Sequence, residues 1–218
     1  MNRIIIFANG DLHDLERARA ILRDDDFILC ADGGARHALA LGLSPNLIIG
    51  DMDSLNDAEW QKVKAGNMPI ELFPRDKNET DLELALDKAS ELNPNEIVVV
   101  AALGGRIDHT LANIALLSDP KRTTHAMCFD DGVEELQFCR NRAEVYGRSG
   151  DLISLIPWGA SVCGIRTENL KWELDHETLF PEKTRGVSNE MTADVAFVEI
   201  ESGLLLIVHR RQSLPLSL

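Results

Sequence analysis

The sequence predicts a two-part fold: an α/β domain built on a parallel sheet, followed by a smaller all-β sandwich. Up to about Ser118, apolar runs alternate with segments of helical spacing. Beyond it, β-type runs separated by glycine-containing turns replace the helical pattern. Alternating strands and helices favour a parallel sheet, and short strands between turns favour a sandwich. We place the boundary between Asn141 and Gly150, giving an α/β domain of residues 1–145 and a β domain of residues 146–218.

The α/β half is predicted from the change of period along the chain. Apolar runs typical of buried strands occupy residues 4–8, 27–31, 47–49, 70–73 and 97–102. Helical spacing covers residues 12–22, 35–41, 57–64, 80–92 and 109–117. Thr80 precedes the clearest amphipathic segment and is available as its N-terminal cap. In such a fold, ligands bind beyond the carboxyl ends of the strands.

The β half is predicted from shorter runs. Strand patterns cover residues 125–129, 133–139, 144–146, 152–156, 161–165, 195–200 and 204–208, with turns at 131–132, 149–150, 158–159 and 202–203. The four cysteines are widely spaced, mostly within apolar runs, so we expect buried thiols in a reducing cytosol rather than disulfides or a zinc site.

Charge and hydropathy exclude several classes of function. The net charge of −14 argues against binding to nucleic acid or to anionic membranes, and means that an anionic substrate needs a metal ion or local cations. The N-terminus lacks the apolar region of a signal peptide, and the longest apolar run, residues 97–103, is too short to span a bilayer. We therefore expect a cytoplasmic protein.

Acidic residues follow four of the predicted strands. Asp51 and Asp53 lie one residue apart in a glycine-led turn after the third strand. Paired carboxylates repel each other, and a divalent cation is the simplest reason for such a pair. Taken alone, the turn is accounted for equally well as a solvated loop with a helix-capping aspartate. Comparable positions at the same sheet edge are occupied by Asp11, Asp32 and Asp108, with Asp81 just inside a helix.

These carboxylates suit Mg²⁺, which prefers hard oxygen ligands. The principal candidates are Asp51, Asp53 and Asp81, although Asp81 could instead complement the dipole of its helix. Asp32 and Asp108 are candidates for a second ion, for a bound water or for the substrate. The familiar nucleotide-binding, nucleophile-elbow and zinc-helix motifs are absent from the sequence.

Two glycine pairs and a few cations could serve phosphate groups. Gly33-Gly34 and Gly104-Gly105 each lie between a strand and a helix, where free backbone N–H groups favour phosphate. Either pair alone is accounted for equally well as a turn that needs positive φ. Arg106, Lys77 and Arg75 could balance phosphate charge, but a solvated loop is the simpler role for the last two. His109 could contact phosphate, cap its helix or pack in the core.

In order along the chain, four segments resemble the thiamine pyrophosphokinase family. They are Ala31-Asp32-Gly33-Gly34-Ala35, Gly50-Asp51-Met52-Asp53-Ser54, Thr80-Asp81-Leu82-Glu83-Leu84-Ala85-Leu86 and Gly104-Gly105-Arg106-Ile107-Asp108-His109. In the β half, residues 186–190 and 203–207 also resemble family segments. One departure is visible: many members carry a Lys-Asp pair shortly before the Thr-Asp, whereas here the charges around Lys77 are shifted.

The resemblance implies a Mg²⁺-dependent transfer of diphosphate from ATP to the hydroxyl group of thiamine, giving thiamine diphosphate and AMP. It implies an ATP-binding catalytic first domain, a thiamine-binding second domain, and a homodimer with its active sites at the subunit interface. The catalytic residues would be Asp51, Asp53, Asp81 and Asp108, with the metal held by the first three. Nucleotide contacts would come from Asp32, Gly33, Gly34, Thr80, Gly104, Gly105, Arg106 and His109, and substrate contacts from Ser188, Asn189 and Trp172. For Trp172, packing in the sandwich core is the alternative.

Two other classes of function stay open at this point. Aspartate-rich strand ends also serve metal-dependent phosphohydrolases. A thiamine-binding protein without catalytic activity is the second alternative, although simple binding of a cation would not need the full carboxylate set.

Overall fold

The computed structural model describes residues 2–122 and 125–212, which form two compact units, one ending at Gly132 and the other beginning at Val133. The boundary predicted after residue 145 divides the chain by expected function, and it stays a prediction. The apolar segment 214–218 lies outside the described residues.

The first unit is an α/β layer structure. Its strands are β1 (Arg3–Phe7), β2 (Phe27–Ala31), β3 (Leu47–Gly50), β4 (Ile70–Leu72), β5 (Glu96–Val100) and β6 (Ala126–Asp130). Its helices are α1 (Leu15–Ala20), α2 (Ala35–Ala40), α3 (Asp57–Ala65), α4 (Asp81–Glu91) and α5 (Ile107–Ser118). The strands pair in parallel in the order β6-β5-β1-β2-β3-β4. The carboxyl ends of β1, β2, β3 and β5 therefore lie at one edge, as predicted.

The central strands are buried on both faces, which explains their continuous apolar sequences. In β1 the side chains of Ile4, Ile5, Ile6 and Phe7 are fully buried, and β2 and β5 are nearly so. Four of the helices end close to their predicted limits because local signals define them, whereas α1 begins at Leu15, after its cap Asp14, and not at residue 12. Thr80 caps α4 by accepting a hydrogen bond from Glu83 N, and Asn56 and Glu59 form a reciprocal capping box at α3.

The second unit is antiparallel. Its strands are β7 (Glu134–Cys139), β8 (Arg142–Tyr146), β9 (Leu152–Pro157), β10 (Val162–Glu168), β11 (Glu177–Leu179), β12 (Asn189–Glu190), β13 (Val195–Glu199) and β14 (Leu205–Arg210). One layer has the order β12-β9-β14-β7 and the other the order β11-β10-β13-β8. Buried side chains from both layers, including Leu155, Ile165, Val198 and Ile207, form one core. Both parts of the predicted fold class are confirmed.

None of the four cysteines, all within the described residues, forms a disulfide, and each is buried or half-buried. Burial raises the pKa of Cys139 to about 11 and raises that of Cys30 further, so both thiols stay protonated at neutral pH. Among the described residues, no helix combines the length and apolar character needed to cross a membrane.

Candidate active site

A cleft of about 500 Å³ opens at the carboxyl ends of the parallel strands in the first unit. Of the residues predicted for the site, its lining includes Asp32, Thr80, Asp81, Gly104, Gly105, Arg106 and His109. The structure thus brings together side chains from the loops after β1, β2 and β5 and from the start of α4. Ligand binding at this edge follows from the parallel topology.

The loops after β1 and β5 are fastened to each other. Asp11 Oδ2 accepts a hydrogen bond of 2.8 Å from Gly105 N. Gly104 has φ of +88°, and a Cβ atom there would lie 2.4 Å from Asp11 Oδ2. This position therefore needs glycine for its conformation and for the close approach of Asp11. Asp11 holds the glycine loop in place at the rim of the cleft.

Gly33 and Gly34 lie beneath the cleft rather than on its lining. A Cβ atom at Gly34 would lie 1.9 Å from the carbonyl oxygen of Phe7, and one at Gly33 would lie 2.4 Å from Asn9 Oδ1. Both glycines are buried. Their observed effect is to let the start of α2 pack against the end of β1, while a contact with nucleotide stays a prediction.

Three carboxylates converge where β2 and β3 end. Asp32, Asp51 and Asp53 can each present one oxygen such that the three atoms lie within 4.8 Å of one another. Asp32 is only 4% exposed, and within the described part of the chain its Oδ1 accepts no hydrogen bond. Asp32 and Met52 have φ of +45° and +64°, so the cluster is held by backbone that L-residues adopt rarely.

Asp81 stands at the first position of α4, next to this cluster. A Cβ atom at Gly50 would lie 2.8 Å from Asp32 Cβ and 3.1 Å from Asp81 Oδ1, so Gly50 separates the two aspartates. Burial raises the pKa of the Asp81 carboxyl; Lys77 opposes the rise, and the charges of Asp32 and Asp51 add to it. The Asp81 carboxylate therefore interacts electrostatically with Asp32 and Asp51 of the three-carboxylate group.

The loop between β4 and α4 supplies two cationic side chains, Lys77 and Arg75. Both were expected to be solvated, and Lys77 is not. Lys77 is not a solvated loop residue, because its side chain is only 12% exposed and its Nζ lies 3.0 Å from Asp81 Oδ1. Arg75 is 83% exposed, as expected for a loop, although its guanidinium lies 3.0 Å from Asp53 Oδ2. The carboxylate of Asp81 attracts the Lys77 ammonium group, so the side chain points inward. The spacing of charges in the sequence does not indicate this contact.

Asp108 is exposed and bound to a neighbour. Arg106 donates to both of its carboxylate oxygens, over 3.1 Å and 2.5 Å, and this contact lowers the pKa of the Asp108 carboxyl. His109 is exposed on the cleft lining, so core packing, one of the alternatives for it, is wrong. Asp108 lies outside the three-carboxylate group.

Several site residues escaped the sequence analysis. Asn9 and Asn113 line the cleft, and Asn113 Nδ2 donates to the carbonyl of Ala102 over 2.7 Å. Asn113 lies one helical turn after His109, a spacing that could have identified it. Arg36 joins two site loops by donating to the carbonyls of Gly33 and Ser54.

Trp172 and Asn189, predicted for the substrate, meet in the second unit. They line an open pocket of about 360 Å³ together with Glu173, Leu174, Arg185, Gly186 and Val187. Trp172 is 58% exposed, so packing in the sandwich core is wrong as its role. The buried Asn189 side chain bonds both the N–H and the carbonyl of Trp172, over 3.1 Å and 2.7 Å. Ser188 is exposed beside it, with φ of +61°.

A parallel α/β unit with carboxylates clustered at its strand ends is typical of enzymes that transfer phosphate groups. Sequence comparison identifies the family within this class. Residues 18–129 match the thiamin pyrophosphokinase catalytic domain, and residues 140–205 match the vitamin B1 binding domain of the same enzymes. The chain belongs to the thiamin pyrophosphokinase family, whose members are diphosphotransferases that convert ATP and thiamine into AMP and thiamine diphosphate.

Individual relatives agree with this assignment. Thiamine pyrophosphokinase of Bacillus subtilis is 25% identical over 95% of this chain and 98% of its own. Thiamine pyrophosphokinase 1 of Arabidopsis thaliana is 30% identical over 81% of this chain and 75% of its own. The crystal structure of the Bacillus subtilis enzyme superposes with a TM-score of 0.87 at 24% identity, covering 97% of this chain and all of that one. The yeast enzyme gives 0.78 at 16% identity, over 96% and 86%. At these identities the two structures support the fold alone.

Proposed function

We propose that the chain performs the family reaction with Mg²⁺ and ATP at the first-unit cleft, using residues 1–145 for the nucleotide and residues 146–218 for thiamine. The observation that carries this proposal is Asp32: a buried carboxylate, grouped with Asp51 and Asp53, one oxygen of which has no hydrogen-bond partner among the described residues. Burying a charged oxygen without a partner is strongly unfavourable. A divalent cation would supply that partner.

The donor set fits magnesium. Carboxylate oxygens are its preferred protein ligands, and one or two carboxylates plus substrate phosphates commonly complete its shell. We retain Asp51, Asp53 and Asp81 as proposed ligands and add Asp32, because the geometry groups it with the first two. When bound, Mg²⁺ supplies positive charge to the phosphate oxygens of the nucleotide.

The remaining cleft residues would orient the nucleotide. Gly105 N–H is already bound to Asp11, so phosphate contacts would fall to Gly104 and to the side chains of Arg106 and His109. Thr80 lines the cleft while it caps α4. In the reaction, the thiamine hydroxyl attacks the β-phosphorus of ATP, the bond to the α-phosphate oxygen breaks, and AMP leaves. Positioning and charge compensation dominate catalysis of such transfers.

The pocket at Trp172 suits the acceptor. Thiamine carries a positive charge and an aminopyrimidine ring, and an exposed aromatic face can bind either. Lys171 Nζ lies 5.1 Å from the centre of the Trp172 ring, so a bound ring would stack on the opposite face. Because Asn189 fixes the Trp172 backbone, we propose that it positions the indole rather than only contacting substrate.

By family analogy we further propose a cytoplasmic homodimer in which Ser188 and Asn189 serve the partner's nucleotide.

Product analysis tests the proposal. The purified protein is incubated with ATP and Mg²⁺, with and without thiamine, and nucleotides and thiamine esters are separated by chromatography. We expect AMP and thiamine diphosphate only when thiamine is present. Phosphate release without thiamine would instead support a phosphohydrolase, and thiamine binding with no turnover under any divalent ion would support a binding protein.

A further inference from the structure

A lysine beside the carboxylate cluster supplies a cation that belongs to the chain itself. Lys77 lies in the loop before α4, and its Nζ is 3.0 Å from Asp81 Oδ1 and donates to the carbonyl of Pro74 over 3.2 Å. Its side chain is 12% exposed and that of Asp81 is 26% exposed. This ammonium group is therefore shielded from solvent at the edge of the carboxylate cluster.

The contact between the two side chains combines the attraction of opposite charges with a short N···O distance. Asp81 Oδ1 is buried and has no aligned hydrogen-bond donor within the described residues, although the Lys77 ammonium is at ion-pair distance. An ammonium is a compact charge on a flexible four-carbon stem, which can change partners without moving the backbone. A stronger cation at the same carboxylates would compete directly with it.

The surroundings of Asp81 explain why an internal cation is useful. Asp32 lies across Gly50, and Asp51 follows that glycine in the same turn. Without a cation these carboxylates repel one another, which favours opening of the turn. Arg75, which lies in the same loop as Lys77, pairs with Asp53. Its side chain is largely in solvent, where such pairs contribute little.

We propose that Lys77 is a positioning residue that occupies the Asp81 corner of the cluster before the metal and nucleotide bind, and that it leaves Asp81 when the divalent ion arrives. This inference rests on the metal site proposed above. The lysine keeps the carboxylates assembled, and the enzyme exchanges one bound charge for another instead of gathering dispersed ligands.

Binding of Mn²⁺ without ATP or thiamine tests the proposal, using electron paramagnetic resonance to count free ion. Lys77→Met keeps the stem and removes the charge, and Arg75→Met is the matched control in the same loop. We expect Lys77→Met to bind Mn²⁺ about tenfold more tightly than the wild type, because the ion no longer displaces a cation. Its ion-free melting temperature should fall and return to the wild-type value at saturating Mn²⁺. Arg75→Met should change the affinity less than about twofold.

Unchanged or weaker Mn²⁺ binding by Lys77→Met would overturn the proposal, as would an equal gain in Arg75→Met, which would indicate a general effect of charge. If Lys77→Met does not fold, Lys77→Gln is measured with the same expectation, since it keeps a polar stem without the charge. The readout uses no turnover. A protein that binds Mn²⁺ as expected but makes no thiamine diphosphate would refute the proposed function and leave the role of Lys77 standing.

Discussion

Gly50 is the residue on which the arrangement of the carboxylates depends most sharply. Its φ is +147°, outside the range that L-residues favour. An added methyl group would lie 2.8 Å from Asp32 Cβ and 3.1 Å from Asp81 Oδ1. Gly50→Ala therefore forces apart two of the proposed metal ligands and strains the backbone at the end of β3.

The expected loss of stability is the sum of two contributions, backbone strain and overpacking. Backbone strain of this kind costs about 1–3 kcal/mol. Overpacking against the buried Asp32 adds about 1–3 kcal/mol, because Asp32 cannot move without shifting its own strained turn. We expect a loss of about 4 kcal/mol in the free energy of unfolding, which lowers the melting temperature of a chain of this size by roughly 8–16 °C.

Gly42→Ala is the matched control. Gly42 also has positive φ, +70°, but a Cβ atom there would meet nothing within 4 Å. It should lose only the backbone term, about 1 kcal/mol or 2–4 °C. Thermal unfolding by circular dichroism compares the two variants, and Mn²⁺ titration reports the site. Equal melting temperatures for the two variants, with undisturbed ion binding by Gly50→Ala, would refute the reasoning.

Three further substitutions probe other parts of the molecule. Asp53→Asn should reduce turnover about 1,000-fold, because it removes the charge of a proposed metal ligand, and should move the melting temperature by less than about 2 °C, because its partner Arg75 lies in solvent. Trp172→Ala should raise the KM for thiamine about tenfold without loss of stability, since the indole is exposed. Asp151→Asn should cost about 3 kcal/mol at pH 7, measured by urea unfolding, because this buried carboxylate accepts hydrogen bonds from the backbone N–H groups of Arg148 and Gln212 and lies 3.0 Å from His209 Nε2.

The Asp151 prediction carries a pH dependence. Burial raises the pKa of this carboxyl, but hydrogen bonds from Gln212 N, His209 and Arg148 N outweigh it, and the pKa is lowered overall. A lowered pKa contributes stability that is complete above the unfolded value, near 4, and is lost as the pH falls through the folded value. The wild type should therefore lose its advantage over Asp151→Asn below about pH 4. A difference that stays constant down to pH 3 would contradict this account.

For the other two variants, the contradicting results are also specific. Near-normal turnover or an unfolded chain for Asp53→Asn would show that its role is not electrostatic. An unchanged KM for Trp172→Ala would move the thiamine site away from the indole.

The strands were predictable where one physical signal dominates. Strand β1 is buried on both faces, so its sequence is apolar without interruption from Ile4 to Phe7, and a short run of that kind is typical of a central parallel strand. Thr80 and Asp81 were placed correctly at the start of α4 because a cap and an acidic first turn follow local chemistry. The parallel order then brought Asp32 and Asp51 to one edge without further information.

Other features depend on contacts that no local pattern records. Strands β11 and β12 have three residues and two, too few for a period to be visible. The inward turn of Lys77 depends on Asp81 and on the path of the loop between them. The contact of Gly34 with the Phe7 carbonyl depends on the pairing of two strands, so a glycine that serves packing could not be told from one that binds phosphate.

The most direct test of the central claim is transfer of label from ATP carrying ³²P at the β-phosphorus, with thiamine and Mg²⁺ present. If the cleft lined by Asp32 and Asp81 transfers diphosphate in one step, all the label lost from ATP should appear in thiamine diphosphate, with unlabelled AMP formed in equal amount. Label released as inorganic phosphate or retained in ADP would contradict the account.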